Sequence, residues 1–526
     1  MHRLLNRSLC VTLQALSVVA LGAALAQAQA AGTLRVGLNA DIRSTEPGVN
    51  RDENTDTVML HIVEGLVAHR EDASVGPLLA KEVQVSNEGQ TYTFKLRDGV
   101  RFHNGATLTA ADVKWTWEHY LNPKTQWRCL AEFDGRGGAK ITGIATPDPL
   151  TVVFTLDQPS GLFLASMARP DCGGGGILHP DSVAADGKWK APIGTGPFTL
   201  AEWKPGQSVE LARFKDYSAR DDAGPDGFTG KKQALVDVLR FMIIPDASSA
   251  KAALLSNNID LLPDVTASDA QELKALPGVQ VSVSPIMAIC GLLFQTNDPL
   301  LKDVRIRQAI AHSLDYGQMV TALSNGLSEP NNSAIPQTSA FYDATAKQGY
   351  KYDPEQAQRL LKEAGYKGQP IKMIVNKRYQ QMFDMGVLSQ AMAQGSGLNI
   401  EMETLAWGTQ LERYQSGNYQ MMSFSYSSRL DPALGFDSLM GDKSKEPRKV
   451  WDNPQAQGLL REAVRESDTG KRQALFDQLH KMMIEDTPMV IIYNGTIIGA
   501  LRDSVRGYHS WPVAKPRLWG VSLSAQ

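Results

Sequence analysis

This sequence has few of the patterns that mark catalytic, metal-binding or nucleic-acid-binding proteins. It contains no His-Glu-x-x-His pair, no Gly-x-Ser-x-Gly elbow and no Cys-x-x-Cys pair, and its nine histidines are scattered. Metalloproteases, serine hydrolases and zinc or redox thiol sites need those side chains at those spacings. We therefore predict that the protein is not an enzyme and holds neither a metal nor a cofactor. Because a formal net charge of −3 offers no basic excess, we also expect no nucleic-acid partner.

Cysteine is scarce. The chain has four cysteines, of which Cys10 lies in an N-terminal apolar stretch and Cys129, Cys172 and Cys290 lie beyond it. In an oxidising compartment, one disulfide and one remaining thiol is the simplest arrangement of three cysteines. We predict that Cys129 pairs with Cys172, since these two lie in the same region of the chain. Three buried free thiols are the alternative.

Long apolar runs are absent except near the N-terminus. Two arginines precede an apolar stretch from Leu9 to Leu25, and alternating alanines end at Ala30. This order is typical of a cleaved signal peptide, and the stretch is shorter than the roughly 20 residues of a spanning helix. We predict that residues 1–30 are a signal peptide, with a membrane anchor as the alternative. Because Cys10 opens the apolar stretch instead of closing it, we expect a periplasmic protein that is not a lipoprotein.

The apolar pattern of the rest of the chain predicts alternating strands and helices. Period-two alternation indicates half-buried strands, and short unbroken apolar runs indicate strands buried on both faces. Such a mixture is typical of α/β lobes. The predicted strands include 33–38, 92–97, 286–296, 371–375 and 489–493.

Helical spacing and glycine content predict three further features. Apolar residues recur at helical spacing over 55–66 and over 357–364. The second of these helices begins in the expected way, with Asp353 as the cap and Pro354 in the first turn. Four consecutive glycines at 173–176 favour a mobile loop, because glycine holds regular structure poorly.

Several segments, taken together and in order, resemble one protein family. The segments resemble the family-5 extracellular solute-binding proteins, which are the dipeptide, oligopeptide and nickel-chelate binders of ABC importers. They cover much of the chain after the signal peptide, so the resemblance is specific. The segments are Tyr92–Gly105 followed by Leu108–Val113, Gly194–Phe198 followed by Tyr217, Leu255–Asp260, Asp303–Ile310 closing on Asp315, Tyr352–Ala357 and Glu363–Tyr366.

The resemblance implies an α/β fold with two lobes, the type II periplasmic binding protein fold of the large cluster, with the ligand cleft between the lobes. Lobe I would cover 31–287, with an extra subdomain at about 78–190. Lobe II would cover 288–497, and residues 498–526 would return to lobe I. The chain would cross between the lobes twice, and closure on a ligand would produce the state that a transporter recognises.

The resemblance also points to a loop around an Asp-Pro pair. In relatives that bind peptides, an aspartate three residues before this pair receives the ammonium group of the peptide. Here the pair is Asp431-Pro432, and Ser428 stands at the third position before it. The neighbouring Arg429 has a planar guanidinium that suits a carboxylate or a phosphate. The alternative is that Arg429 is a solvated loop charge.

Three further parts of the chain contain candidate ligand contacts. Dipeptide binders carry an arginine for the ligand carboxylate in the loop after the 371–375 strand, where this chain has Asn376 followed by Lys377 and Arg378. Trp407 is a candidate wall for an apolar or planar ligand group, with a core tryptophan as the alternative. Thr45 lies in the segment that lines lobe I in relatives.

We therefore predict a periplasmic solute-binding component of an ABC importer, most consistent with a short peptide or a peptide-like solute. Its partners would be the ligand and the permease subunits, and we expect a monomer. The alternative within this class is a non-peptide solute such as an opine, a sugar conjugate or a metal chelate. A secreted hydrolase is the alternative from another class, and it would need a nucleophile and a base that the sequence does not offer.

Overall fold

A computed structural model describes residues 32–49, 52–136 and 138–524. The predicted signal peptide lies outside these ranges. Within them, no helix combines the length and the apolar character that crossing a membrane requires. The elements below are numbered in chain order.

The strands are β1 (Thr33–Leu38), β2 (Val67–His69), β3 (Val75–Pro77), β4 (Ala80–Ser86), β5 (Thr91–Leu96), β6 (Ile141–Asp148), β7 (Thr151–Leu156), β8 (Phe198–Lys204), β9 (Ser208–Arg213), β10 (Pro225–Asp226), β11 (Thr229–Gly230), β12 (Val238–Ile243), β13 (Leu261–Leu262), β14 (Val279–Pro285), β15 (Ile289–Phe294), β16 (Ile371–Val375), β17 (Ile400–Thr404), β18 (Met421–Tyr426), β19 (Met489–Tyr493), β20 (Thr496–Arg502), β21 (Val505–Arg506) and β22 (Ser522–Leu523).

The α-helices are α1 (Glu53–Met59), α2 (Ala110–Leu121), α3 (Phe163–Met167), α4 (Ala247–Leu255), α5 (Ala267–Lys274), α6 (Val304–His312), α7 (Tyr316–Ser324), α8 (Pro354–Glu363), α9 (Gln380–Gly395), α10 (Trp407–Ser416), α11 (Pro432–Leu439), α12 (Pro454–Arg465) and α13 (Thr469–Asp486). Many begin at a side chain that satisfies a free backbone N–H group. In α8, for example, Asp353 accepts a hydrogen bond from the backbone N–H of Gln356, and Pro354 follows the cap.

Two large sheets form two lobes, as predicted. The sheet of lobe I has the strand order β14-β20-β13-β1-β12-β9-β8. A separate four-stranded sheet, β4-β5-β7-β6, adds a subdomain to this lobe. The sheet of lobe II has the order β17-β16-β18-β15-β19, with apolar side chains packed on both of its faces. Each lobe therefore has its own core, as a two-lobed α/β protein requires.

The chain crosses between the lobes at two adjacent places. β14 belongs to the first sheet and β15 to the second, while β19 and β20 lead back. The two crossings contact each other: Pro285 pairs with Thr496, and the backbone N–H of Ile286 donates to the carbonyl oxygen of Gly495 at 3.1 Å. The side chain of Asn494 donates to the carbonyl oxygen of Ala288 at 2.8 Å. These bonds join the crossings into one short ribbon.

The helix predicted at 55–66 is shorter than expected, since α1 ends at Met59. The residues after it bond to other parts of lobe I. The carbonyl of Ile62 accepts from Gly196 at 2.9 Å, and that of Gly65 accepts from Leu79 at 3.2 Å. The apolar side chains at helical spacing are buried, but tertiary backbone hydrogen bonds replace the helix.

The glycines at 173–176 are buried, so the prediction of a mobile loop is wrong. They end a tight turn in which Gly173 and Gly174 have φ of 72° and 62°. A Cβ atom on Gly173 would lie 2.7 Å from the Cβ of Pro47, and one on Gly65 would lie 2.2 Å from the carbonyl oxygen of Gly174. Glycine is needed here because backbones approach closely and φ is positive.

The structure joins Cys129 and Cys172 by a disulfide, with their Cα atoms 5.7 Å apart. Both residues are buried in lobe I beside the glycine turn. Cys290 is a buried free cysteine in β15, and its burial raises the pKa of the thiol to about 11. The disulfide thus ties the glycine turn to the segment that follows α2.

Candidate functional site

Three strands of lobe II end at the edge that faces lobe I. β15 enters lobe II from the crossing and runs away from it, and β18 is antiparallel to β15. β16 and β17 run in the direction of β18, so all three strands end on the side of the crossing. Ligands of α/β proteins commonly bind where such strands end. The loops that follow these strands are 376–379, 405–406 and 427–431.

Lobe I presents a matching edge. β14 runs towards the crossing, and β13, β1 and β12 share its direction. Their carboxyl ends therefore face lobe II. The loops that follow β1, β12 and β13 include 39–49, 244–246 and 263–266. We call the space between these two sets of loops the cleft.

The loop 427–431 is anchored at its end by Asp431. This carboxylate accepts from the backbone N–H of Ala433 at 2.9 Å and so caps α11. It also receives two hydrogen bonds from the guanidinium of Arg472, at 2.9 and 2.8 Å. Both residues of this ion pair are buried. Asp431 is therefore occupied by the protein itself, and the pair fixes the end of the loop.

Arg429 and Leu430 carry the loop towards lobe I. Leu430 packs against a lobe I cluster that contains Leu60, Phe228 and Trp511. The guanidinium of Arg429 donates to the carbonyl oxygens of its loop neighbours Ser427 and Ser428, each at 3.1 Å.

The guanidinium of Arg429 is an incompletely paired cation in the cleft. Its burial lowers the pKa of Arg429, and the lobe I charges that act on it are Arg169 and Asp171. In the described part of the chain, no carboxylate lies within ion-pair distance of Arg429. Its charge is therefore partly desolvated without a direct counter-charge from the protein.

Lys377 and Arg378 lie on the same edge but are exposed. The Arg378 guanidinium lies 5.7 Å from the ring centre of Tyr379, and the Lys377 ammonium lies 5.4 Å from that of Phe383. Asn376 is buried and donates to the side chain of Gln410 at 2.9 Å. Asn376 thus shapes the loop, while the two cations form its outer rim.

Trp407 lies between the rim and the core of lobe II. It is half-buried, with its ring edge-on to Tyr379 at 4.9 Å and stacked on Phe424 at 5.9 Å. Tyr379 is 40% exposed. Trp407, Tyr379 and Phe424 therefore form an aromatic cluster, of which the sequence indicated only Trp407.

Thr45 lies in the lobe I loop after β1. Its hydroxyl oxygen accepts from the indole N–H of Trp189 at 3.0 Å. This hydrogen bond links the loop to the subdomain side of lobe I. Thr45 is only partly buried, so the structure leaves part of the side chain accessible.

A network of ion pairs in lobe I lies close to Arg429 and was missed by sequence analysis. Arg128 lies 3.4 Å from Asp56 and 3.0 Å from Asp171, and Arg169 contacts Asp171 at 2.8 Å and Glu132 at 2.9 Å. Burial raises the pKa of Asp56 to about 8 despite the nearby cations. Burial would also raise the pKa of Asp171, but its hydrogen bonds to the two arginines lower it to about 2. Except for Arg169 and Asp171, the partners are 37 or more positions apart in sequence, so no local spacing predicts the network.

Metal ligands do not gather in this structure. In the ranges described above, no group of three or more His, Cys, Asp or Glu side chains is arranged to hold a metal ion. His103, which follows β5, instead forms a hydrogen bond to the carbonyl oxygen of Gly196 at 3.0 Å. This is a structural contact between two segments of lobe I.

The sequence matches the family model described as bacterial extracellular solute-binding proteins, family 5, middle, over residues 74–446. The di/tripeptide-binding protein 4 of Pseudomonas aeruginosa (strain UCBPP-PA14) is 30% identical over 525 residues, covering 94% of this chain and 94% of the relative. The dipeptide-binding protein of Escherichia coli (strain K12) is 28% identical over 480 residues, covering 85% of this chain and 86% of the relative.

A solved structure has the same two-lobed fold. The periplasmic binding protein AgaA from A. tumefaciens R10, in complex with agropinic acid, is 25% identical and has a TM-score of 0.68. The match covers 94% of this chain and 99% of that protein. Nearly the whole chain is therefore similar to a protein whose structure holds a small organic acid.

Proposed function

Because the chain belongs to the bacterial extracellular solute-binding proteins of family 5, we propose that it captures a short peptide or a peptide-like solute and delivers it to an ABC importer. The relatives from Escherichia coli and Pseudomonas aeruginosa are a dipeptide-binding and a di/tripeptide-binding protein, which supports a peptide as the solute. The observation that carries the proposal is the pair of strand edges that face each other across a double crossing.

We propose that the crossings at 286–288 and 494–495 are the hinge of lobes that cover about 31–287 and 288–497. The chain returns to lobe I at β20, close to the predicted boundary at 498, and the subdomain at about 78–190 contains the four-stranded sheet. A solute that contacts both edges of the cleft stabilises the closed state, which the permease subunits then recognise. The protein acts as a monomer in this scheme.

The proposed solute contacts combine a cationic and an aromatic part. Arg429 and the backbone around Ser428 lie nearest the crossings, and Arg378 and Lys377 form the outer rim. Trp407 offers its ring to an apolar group, and Thr45 offers a hydroxyl from lobe I. Arg429 is the strongest candidate for an anionic group, because a partly desolvated guanidinium gains most from a charge-assisted hydrogen bond.

An opine is the second candidate solute. The similarity to AgaA, which was solved with agropinic acid, favours this alternative. Such a solute also carries a carboxylate, so Arg429 would serve in either case. Binding of a peptide pool and of opines to the purified protein separates the two.

We expect a fitting solute to contract the molecule and to raise its melting temperature, because binding to the closed native state stabilises that state. Small-angle scattering and thermal unfolding are measured with and without an equimolar pool of free dipeptides. The protein without solute is the baseline. In a separate assay, the protein is incubated with a panel of ester and peptide substrates of secreted hydrolases, and their turnover is measured. Stabilisation without contraction would contradict the hinge, and turnover of the panel would favour the hydrolase.

We also propose that residues 1–30 are removed on export and that the mature chain begins near Ala31 without a lipid. The alternating alanines that end at Ala30 support this cleavage site. N-terminal sequencing and the intact mass of the exported protein test it. Retention of residues 1–25, or an added mass of a lipid, would contradict the proposal.

A further inference from the structure

Lobe I carries an unpaired carboxylate at its edge of the cleft. Asp264 lies in the loop after β13, and the carboxyl end of β13 faces lobe II. The next residue, Val265, donates its backbone N–H to the carbonyl oxygen of Ile498 in β20, at 2.8 Å. β20 begins at the second crossing. Asp264 therefore lies close to the crossings, as does Arg429, whose backbone N–H donates to the carbonyl oxygen of Met287 at 3.1 Å.

The Asp264 side chain is not engaged by the protein. In the part of the chain that the structure describes, it has no hydrogen-bond or ion-pair partner. The residue is exposed, yet desolvation by the surrounding protein, together with the nearby charge of Glu53, raises its pKa to about 6. Asp264 is therefore reachable from solvent in a loop where the surrounding protein partly desolvates it. A partly desolvated carboxylate without a partner gains most when a cation reaches it.

The other carboxylates of the two edges are occupied. Asp431 is held by Arg472 at 2.8 and 2.9 Å, and Asp41 accepts from the indole of Trp203 at 3.0 Å. Glu46 lies 3.2 Å from His119. Asp246 caps α4 by accepting from the backbone N–H of Ser249 at 2.7 Å. Asp264 differs from these four because its side chain has no such contact among the described residues.

We propose that Asp264 binds the ammonium group of the solute, opposite Arg429, which binds its anionic group. The solute is then a zwitterion, such as a peptide with both ends free. This assignment rests on the proposed function. In this chain Ser428 stands where peptide-binding relatives have an aspartate in lobe II. The assignment explains how the cleft still binds an ammonium group, because Asp264 of lobe I provides the carboxylate. A zwitterion that contacts both lobes favours their closure, because either contact alone leaves one charge unpaired.

Three pools of the same dipeptide sequences test the assignment. One pool has free ends, one is N-acetylated and lacks the ammonium group, and one is C-amidated and lacks the carboxylate. Native mass spectrometry identifies the best free dipeptide, and calorimetric titration then measures it with its acetylated and amidated forms. We expect each blocked form to bind at least tenfold more weakly than the free dipeptide.

The variant Asp264→Asn should bind the free dipeptide and its acetylated form within about twofold of each other, since the group that distinguishes them is gone. Asp216→Asn is the matched control. Asp216 is an exposed lobe I carboxylate beyond the end of β9, which is antiparallel to β12 and so ends at the edge away from lobe II. This control should bind like the parent.

The pH dependence provides a second readout. The groups that act on Asp264 are Glu53, which is itself paired with Lys515 at 2.7 Å, and Tyr508. With a pKa of about 6, Asp264 is ionised at pH 7 and largely protonated at pH 5. The affinity for the free dipeptide should fall roughly tenfold between these values in the parent, and should change much less in Asp264→Asn.

The outcomes are distinguishable. Free dipeptides that bind Asp264→Asn as tightly as the parent would overturn the assignment of Asp264 and leave the proposed function intact. Equal binding of free and acetylated forms by the parent would do the same. Absence of binding from all three pools would overturn the peptide function and the assignment together.

Discussion

Replacing Arg472 by Met is expected to lower the free energy of unfolding by about 3–5 kcal/mol, because it leaves the buried carboxylate of Asp431 without its counter-charge. The parent ion pair is bidentate, at 2.9 and 2.8 Å, and both residues are at most 7% exposed. Methionine retains much of the apolar contact that Arg472 makes with the rings of Phe341 and Phe476. Denaturant unfolding followed by circular dichroism measures the difference.

The double variant Asp431→Asn with Arg472→Met is the control. Asparagine is neutral and still accepts the capping hydrogen bond from Ala433, so the double variant should recover much of the lost stability. A loss below about 1 kcal/mol in Arg472→Met would show that the buried carboxylate finds another partner. The same variant should also weaken solute binding, because Asp431 fixes the end of the loop that contains Arg429.

Much of the fold follows from local signals in the sequence. The strand β16 was predicted from its apolar run, and the helix α8 from its apolar spacing and the cap at Asp353. Both signals depend on interactions between residues close in sequence. The unbroken apolar strands β15 and β19 were predicted as buried, and every residue of both is buried, although β19 forms one edge of the lobe II sheet. Family resemblance supplied the two lobes, which local patterns alone do not define.

The errors occurred where distant segments determine the backbone. The 55–66 segment has helical apolar spacing, but Ile62 and Gly65 bond to residues far along the chain, so the helix ends at Met59. Four consecutive glycines are typical of a flexible linker. Here, however, the absence of side chains lets the backbone at 173–176 pack closely against Pro47 and Gly65. A run of glycines in the sequence does not reveal which distant segments of the chain pack against it.

The site was predictable only in part for the same reason. Arg429 and Arg378 stand in loops and Trp407 begins α10. The place of all three follows from strand order, so sequence and resemblance indicated them. Whether a charge is already paired depends on contacts between remote residues. The partner of Asp431 is Arg472, 41 positions away, and the isolation of Asp264 is visible only when the whole of lobe I is assembled.

Replacing Arg429 by Ala is expected to weaken binding of the free dipeptide by roughly ten- to a hundredfold. A hydrogen bond to a charged group typically contributes about 1.5–3 kcal/mol, and about 1.4 kcal/mol corresponds to a tenfold change in affinity. Arg429 is partly desolvated, and among the described residues no carboxylate forms an ion pair with it, so a solute anion gains the full interaction. Calorimetric titration with the dipeptide selected from the free pool measures the loss.

Arg378→Ala is the matched comparison, because Arg378 lies on the same edge of lobe II but is exposed. We expect a change of about twofold or less there, since solvent screens an exposed charge. Arg429→Lys should restore only part of the affinity, because a point charge does not reproduce a two-pronged contact with a carboxylate. A larger loss in Arg378→Ala than in Arg429→Ala would move the anion site to the rim. Folded variants that both bind within twofold of the parent would show that neither arginine anchors the solute.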